Sequence, residues 1–165
     1  MLKEESGLIY LHLNKTDSLN KQVKVVDDKG KTYLLNLDDY LFCIQRRAKP
    51  TFEGIKAEME NHNTIKATQM ISQLIVLMVD MHQKGIVNLD PYLQGNTGFL
   101  EDRAVHIDIG RFVKSESIKT PENSQKHLHN ILNELSNWLE SNYPELNEYL
   151  KATEDANNSP YAKIE

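Results

Sequence analysis

The sequence predicts an α+β protein in which a small antiparallel β part precedes a mainly helical part. Three observations carry that prediction. Short apolar and aromatic clusters, split by polar stretches, fill residues 7–47. From Thr51 onward apolar residues recur at three- and four-residue steps. A segment rich in glycine and proline, 86–113, then separates one helical stretch from the next. With 39% hydrophobic and 26% charged residues, the 165-residue chain has the composition of a globule. Its length suits one domain of ordinary size or a small lobe joined to a larger one. The expected divisions are a partial β lobe over 1–48, a helical lobe over 49–156 and a frayed tail over 157–165.

Leu8-Ile9-Tyr10-Leu11-His12-Leu13 reads as a strand, and the polar run Asn14 to Gln22 as a loop. Val23-Lys24-Val25-Val26 and Thr32-Tyr33-Leu34-Leu35 flank Asp27-Asp28-Lys29-Gly30, the pattern of a hairpin with glycine in the turn. Tyr40 to Ile44 reads as a further strand. Pro50 is a natural break, and 52–84 reads as two helices split near Asn61-His62-Asn63. Met70, Ile71, Leu74, Ile75, Met78 and Val79 share one face of the second. Val76 and Leu77 make it apolar on other sides too, as in a central helix. Gly85 stands where a C-terminal capping glycine belongs. Gly98-Phe99-Leu100 and Val105-His106-Ile107 are two short β-like pieces. Pro121 suits the first turn of a helix that runs to Asn142, with Leu128, Ile131, Leu132, Leu135, Trp138 and Leu139 on one stripe. Pro144 ends it and opens another through Leu146, Tyr149 and Leu150.

The formal net charge is −5, with acidic and basic residues intermixed, so there is no nucleic-acid footprint. The longest strictly apolar run, Leu74 to Val79, is far too short to span a bilayer. The opening Met1-Leu2-Lys3-Glu4-Glu5 lacks the apolar core of a secretory signal. Cys43 is the only cysteine, which excludes an intrachain disulfide. A cytosolic protein is expected.

The informative stretch runs Met81-His82-Gln83-Lys84-Gly85-Ile86-Val87-Asn88-Leu89-Asp90, then Asn96-Thr97-Gly98-Phe99-Leu100, then Val105-His106-Ile107-Asp108-Ile109-Gly110-Arg111-Phe112. This resembles the catalytic core of the protein-kinase-like superfamily. There an apolar helix ends in a His-x-x-Gly-Ile-type turn, followed by a His-Arg-Asp loop, a β-hairpin and Asp-Phe-Gly. Asn88-Leu89-Asp90 stands at the His-Arg-Asp position and Asp108-Ile109-Gly110 at the Asp-Phe-Gly position. The likeness covers roughly 40–140 and extends to uncharacterised bacterial kinase-like proteins with the same Asp-Pro loop, Asn-x-Gly-Phe-Leu and Ile-Asp-x-Gly-Arg-Phe stretches. It implies ATP-dependent phosphoryl transfer. Mg²⁺ would be held by Asn96 and Asp108, and Asp90 would orient the attacking hydroxyl and accept its proton. Gln45, Arg46 and Arg47 would form the hinge that meets adenine.

The departures from that pattern are specific. Asn96 comes six residues after Asp90 rather than five, with Gly95 in the fifth place. Leu89 replaces an arginine, and no Ala-Pro-Glu follows Gly110. Gly7 and Gly30 are the only glycines in the first fifty residues, too few for a phosphate-cradling loop. No Val-Ala-Ile-Lys-like strand followed by a glutamate-bearing helix is present. By the same resemblance, Lys3-Glu4-Glu5-Ser6 corresponds to the last turn of a small-lobe helix. The expected protein is therefore a degenerate or incomplete phosphotransferase, a pseudokinase or a fragment. Two alternatives stand beside it. One is a non-catalytic module that binds a protein partner at the open edge of the β-sheet. The other is a split kinase completed by another chain.

Simpler roles are also open to these residues. Asp90 before Pro91, and Asp108 before Ile-Gly, fit plain turns. His127 and His129, two apart on a helix, do not share a face, which argues against a metal pair. His82 is expected to cap or pack near the loop. Lys114 to Lys119 reads as a solvated loop.

Overall fold

The computed structural model describes residues 2–90 and 92–157, and these divide into two units, one of residues 8–46 and one of residues 2–7 with 47–157. The protein is α+β, with small antiparallel sheets beside a helical majority.

In the first unit, β1 (Leu8–His12) pairs antiparallel with β4 (Phe42–Gln45). Opposite residues on this pair stack, with the His12 and Phe42 rings 4.8 Å apart. The predicted hairpin is present as β2 (Gln22–Val26) and β3 (Thr32–Asn36), with Val23 opposite Leu35 and Val25 opposite Tyr33. Gly30 turns it at φ +77°, a backbone state that glycine adopts without steric cost. Asp27 Oδ1 accepts from the Lys29 and Lys31 amides at 3.0 and 2.8 Å and so closes the turn. The polar loop before β2 is held by Asp38, which is buried in a 3₁₀ turn over Leu37–Asp39. Its carboxylate accepts from the Thr16 hydroxyl and from the Leu19 and Asn20 amides. The Thr16 hydrogen bond, followed by those from the backbone, holds the Asp38 carboxyl below the usual carboxylate range.

The second unit is built on α3 (Thr64–Gln83), surrounded by α2 (Thr51–Glu60), α5 (Pro121–Asn142) and α6 (Pro144–Asn157). Asn63 caps α3, its side chain accepting from the Lys66 amide at 3.3 Å. Gly85 ends it at φ +68°, its amide donating to the His82 carbonyl at 2.9 Å. The faces of α3 carrying Ile71, Leu74, Ile75 and Met78 are buried against Ile55, Leu132, Leu135, Leu139, Leu146 and Leu150. Each such side chain contributes about 1.5–3 kcal/mol through removal from water. Trp138 flanks this core, half-buried and stacked on Phe52 at 4.8 Å. The N-terminal turn α1 (Lys3–Ser6) belongs to this unit, tied to it by the pairs Glu4–Arg103 and Glu5–Lys84.

Two small sheets crown the helices. In one, β7 (Thr97–Leu100) lies between β5 (Lys49–Pro50) and β8 (Arg103–His106). In the other, β6 (Ile86–Asn88) pairs with β9 (Phe112–Lys114). Gly98 is required where β7 meets β5, because a Cβ there would lie 2.5 Å from the Lys49 carbonyl oxygen.

Several expectations need correction. The 86–113 segment contains one helical turn, α4 (Leu93–Asn96). Lys114 to Lys119 is no solvated loop, since Glu116–Lys119 forms a 3₁₀ turn that buries Ile118. The fourth strand begins at Phe42 rather than Tyr40. Val76 remains half exposed, so α3 is covered on most but not all of its circumference. Asn157 is the last residue of α6, and the rest of the expected frayed tail, 158–165, lies outside the described residues.

Candidate functional site

The backbone at Asp90 and the backbone at Asp108 are both hydrogen-bonded to Asn96. The Asn96 side-chain amide donates to the Asp90 carbonyl at 3.3 Å. Its backbone carbonyl accepts from the Ile107 amide at 2.8 Å and from the Asp108 amide at 3.4 Å. Asn96 thus joins the loop after β6 to the turn after β8. Asn96 is the last residue of the helical turn α4. It is 6% exposed, so its polar groups require these partners.

Each carboxylate also shapes its own turn. Asp90 Oδ1 accepts from the Tyr92 amide at 3.2 Å, and Asn88 Oδ1 accepts from the Asp90 amide at 3.0 Å. Asp108 Oδ1 accepts from the Gly110 amide at 2.8 Å. The simple turn roles are therefore present together with the juxtaposition. Asp108 is exposed, and Asp90 is half-buried in a narrow cleft that it lines together with Asn88, Tyr92, Asn96 and His106 among others.

Mg²⁺ takes oxygen ligands, keeps several waters and is usually held by one or two carboxylates together with substrate phosphates. Asn96 carries an amide oxygen and Asp108 an exposed carboxylate, and the two residues are joined through the Asn96 backbone carbonyl. Among the described residues there is no group of three or more His, Cys, Asp and Glu side chains that could hold a metal ion.

Helix α5 brings residues to the loop that sequence reasoning missed. Glu134 Oε2 accepts from the Leu93 amide at 2.7 Å. The Asn88 backbone favours the charged form of His127. His127 in turn faces His82, Nδ1 to Nε2, at 2.9 Å, and His82 Nδ1 lies 2.7 Å from the Ser124 hydroxyl. Burial, then the neighbouring His127, pushes His82 down to about 4. Burial lowers His127 as well, against the raising effect of Asn88. The signal in the sequence was a polar stripe: Ser124, His127 and Glu134 follow at helical steps beside Leu128, Ile131 and Leu135. His129, by contrast, points elsewhere and pairs with Glu154 at 3.0 Å, so the His-x-His motif is divided between two faces.

His106 is buried at the end of β8, edge-on to Phe112 at 4.8 Å, and burial pushes it to about 4 against the raising effect of Glu5. Gln45 ends β4 opposite Leu8, and Arg46 beside it is exposed; both belong to the first unit. Arg47, also exposed, precedes β5 in the second.

No protein-family model, curated protein or solved structure matches the chain.

Proposed function

We propose that this chain carries the catalytic-loop part of a kinase-like phosphotransferase, itself degenerate or incomplete. The observation that carries the reading is the Asn96 junction, which ties the Asp90 loop and the Asp108 turn to one buried residue. In the family that the sequence resembles, phosphoryl transfer needs a base near the attacking hydroxyl and metal ligands beside it, and positioning supplies most of the catalysis. Asp90 would serve as that base, and Asn96 with Asp108 would hold Mg²⁺ through oxygen. Bound Mg²⁺ would neutralise phosphate charge. The scarcity of glycines before residue 50 and the lack of a Val-Ala-Ile-Lys-like stretch leave the phosphates of ATP without their usual clamp. One lost electrostatic donor costs roughly 2.7–4 kcal/mol, so transfer by this chain alone is expected to be slow or nil.

A thermal shift with millimolar ATP and Mg²⁺ tests the reading. A rise in Tm that disappears in Asp108→Ala supports it. A rise that persists in that variant, or no rise at all, counts against nucleotide binding at this site.

One observation favours a second reading, a non-catalytic interaction module. Within residues 8–46 the side chains of Ile9, Leu11, Leu13, Val26, Leu34 and Leu41 are exposed, and every strand pairs on one edge only. Open edges and bare apolar side chains are features that protein partners cover. Retained partner binding in Asp108→Ala, with no nucleotide response in the parent chain, would favour this reading over the first.

A further inference from the structure

The β2–β3 hairpin of the first unit has two unlike faces. Val23, Val25, Tyr33 and Leu35 share one, which is apolar throughout. Gln22, Lys24, Thr32 and Asn36 make the other polar, with Val26 and Leu34 as its apolar members. Leu34 stands at the centre of β3 and is 67% exposed, the most exposed apolar side chain of the hairpin. Two strands alone are marginal in water, and further strands are what stabilise such a hairpin.

β3 has an edge that can receive one. The Asp27 amide donates to the Lys31 carbonyl at 3.0 Å and the Leu37 amide to the Lys21 carbonyl at 2.8 Å, one bond at each end of the ladder. Bonded and non-bonded residue pairs alternate between antiparallel strands, so Tyr33 and Leu35 turn their backbone groups toward β2. Those of Thr32, Leu34 and Asn36 point away, along an edge that no strand among the described residues pairs. This edge has none of the usual guards: β3 carries no charged residue and no proline, and its register shows no bulge.

We propose that β3 pairs antiparallel with β3 of a second copy of this chain, about a two-fold axis at Leu34, so that two hairpins become one four-stranded sheet. Self-complementarity points to a copy rather than a foreign strand. An axis at Leu34 sets Leu34 against Leu34, Tyr33 against Leu35 and Thr32 against Asn36. The backbone groups it brings together are the outward ones of Thr32, Leu34 and Asn36, whereas a slip of one residue would present the groups already bonded to β2. The apolar faces of the two hairpins become continuous. Past the strand ends the same register sets the exposed Lys29 opposite the exposed Asp39 of the second copy. The other strands of the unit do not offer this. An axis on β2 sets Lys24 against Lys24, β1 is interrupted by a bulge between Leu8 and Tyr10, and β4 has only four residues. Two hairpin edges bury less than a standard interface, so the dimer is weak and forms as concentration rises. This pairing names an occupant for the open edge of the interaction-module reading and is independent of nucleotide binding.

Sedimentation equilibrium of the full chain over a concentration series, with NMR amide exchange at both ends of the series, tests the pairing. The average mass should rise from one chain toward two and stop there, because a two-fold axis closes. The amides of Thr32, Leu34 and Asn36 should pass from unprotected to protected as it rises. Leu34→Lys places like charges on the axis and should stay monomeric. Ile65→Lys, at an α3 side chain that is 74% exposed, is the control and should dimerise like the parent. A parent that stays monomeric, a mass that climbs past two chains, dimerisation of Leu34→Lys, or a dimer in which those three amides gain no protection would overturn the pairing. So would a foreign strand that binds this edge of a monomeric parent. Should Leu34→Lys not fold, the exchange pattern of the parent decides, since only pairing at this edge protects alternate residues of β3. The Tm response to ATP and Mg²⁺ is a separate readout, so failure of the pairing and failure of the kinase-like reading are told apart.

Discussion

Replacing Asn96 separates a joint from a turn. In Asn96→Ala the donor to the Asp90 carbonyl is lost, at a residue 6% exposed. The lost hydrogen bond contributes roughly 0.5–1.5 kcal/mol, and a carbonyl left without its partner adds a desolvation cost of about 1 kcal/mol or more. The backbone bonds from Ile107 and Asp108 remain, which limits the total to about 2 kcal/mol. For a chain of this size that is a fall in Tm of roughly 4–8 °C. Asp108→Ala removes one exposed turn bond, from the Gly110 amide, and should cost no more than about 1 kcal/mol. Asn96→Asp is the sharper test. A carboxylate cannot donate to the Asp90 carbonyl, and burial disfavours its charge, so its native pKa should lie above the unfolded value. The native state then binds the extra proton more tightly, and the deficit relative to the parent should shrink as pH falls from 7 toward 5. Urea denaturation of the parent and these three variants at both pH values measures all of this. The junction would be refuted if Asn96→Ala cost no more than Asp108→Ala, or if the Asn96→Asp deficit did not change with pH.

Three further outcomes follow from the same geometry. Gly98→Ala should destabilise by about 1–3 kcal/mol, because the added Cβ meets the Lys49 carbonyl at 2.5 Å and backbone cannot easily yield; Gly110→Ala, whose Cβ would lie 3.1 Å from the Asp108 carboxylate tip, is the milder control in the same melt. Glu134→Ala should cost about 1–3 kcal/mol and raise exchange at the Leu93 amide, which loses its acceptor; unchanged exchange there would remove Glu134 from its supporting role. His82 sits near 4 in the fold and near 6.5 unfolded, so the unfolded chain takes up its proton first. Stability is full above pH 6.5 and is lost as pH falls toward 4, by about 3 kcal/mol in all. Denaturation midpoints of the parent and His82→Gln should therefore diverge between neutral pH and pH 5.

What the sequence could reveal followed the range of the interaction. The helices were legible because their signals are local: Pro50, Gly85, Pro121 and Pro144 mark ends, and the apolar steps along Met70 to Met78 mark a face. The β2–β3 hairpin was legible for the same reason, through its glycine turn. The strands β5, β6 and β9 were not, since two or three residues carry no period and their partners lie far along the chain. The role of Asp38 was equally hidden, because a buried carboxylate that collects amides from a loop eighteen or more residues earlier looks like any acidic turn residue. At the candidate site, Asp90, Asn96 and Asp108 were legible as a motif. That Asn96 closes a helical turn, α4, was not. Nor were His127 and Glu134, whose function depends on which face of α5 meets the loop.

The central claim is that Asp90, Asn96 and Asp108 form one site able to receive a metal–nucleotide complex. Paramagnetic broadening of backbone amide signals by Mn²⁺, with and without ATP, tests it most directly. Selective broadening around Asn96, Asp108 and Gly110 that deepens when ATP is added is the expected result. Broadening confined to other acidic surfaces, such as the groove of Glu4, Glu5 and Asp80 or that of Glu122, Glu154 and Asp155, would contradict it.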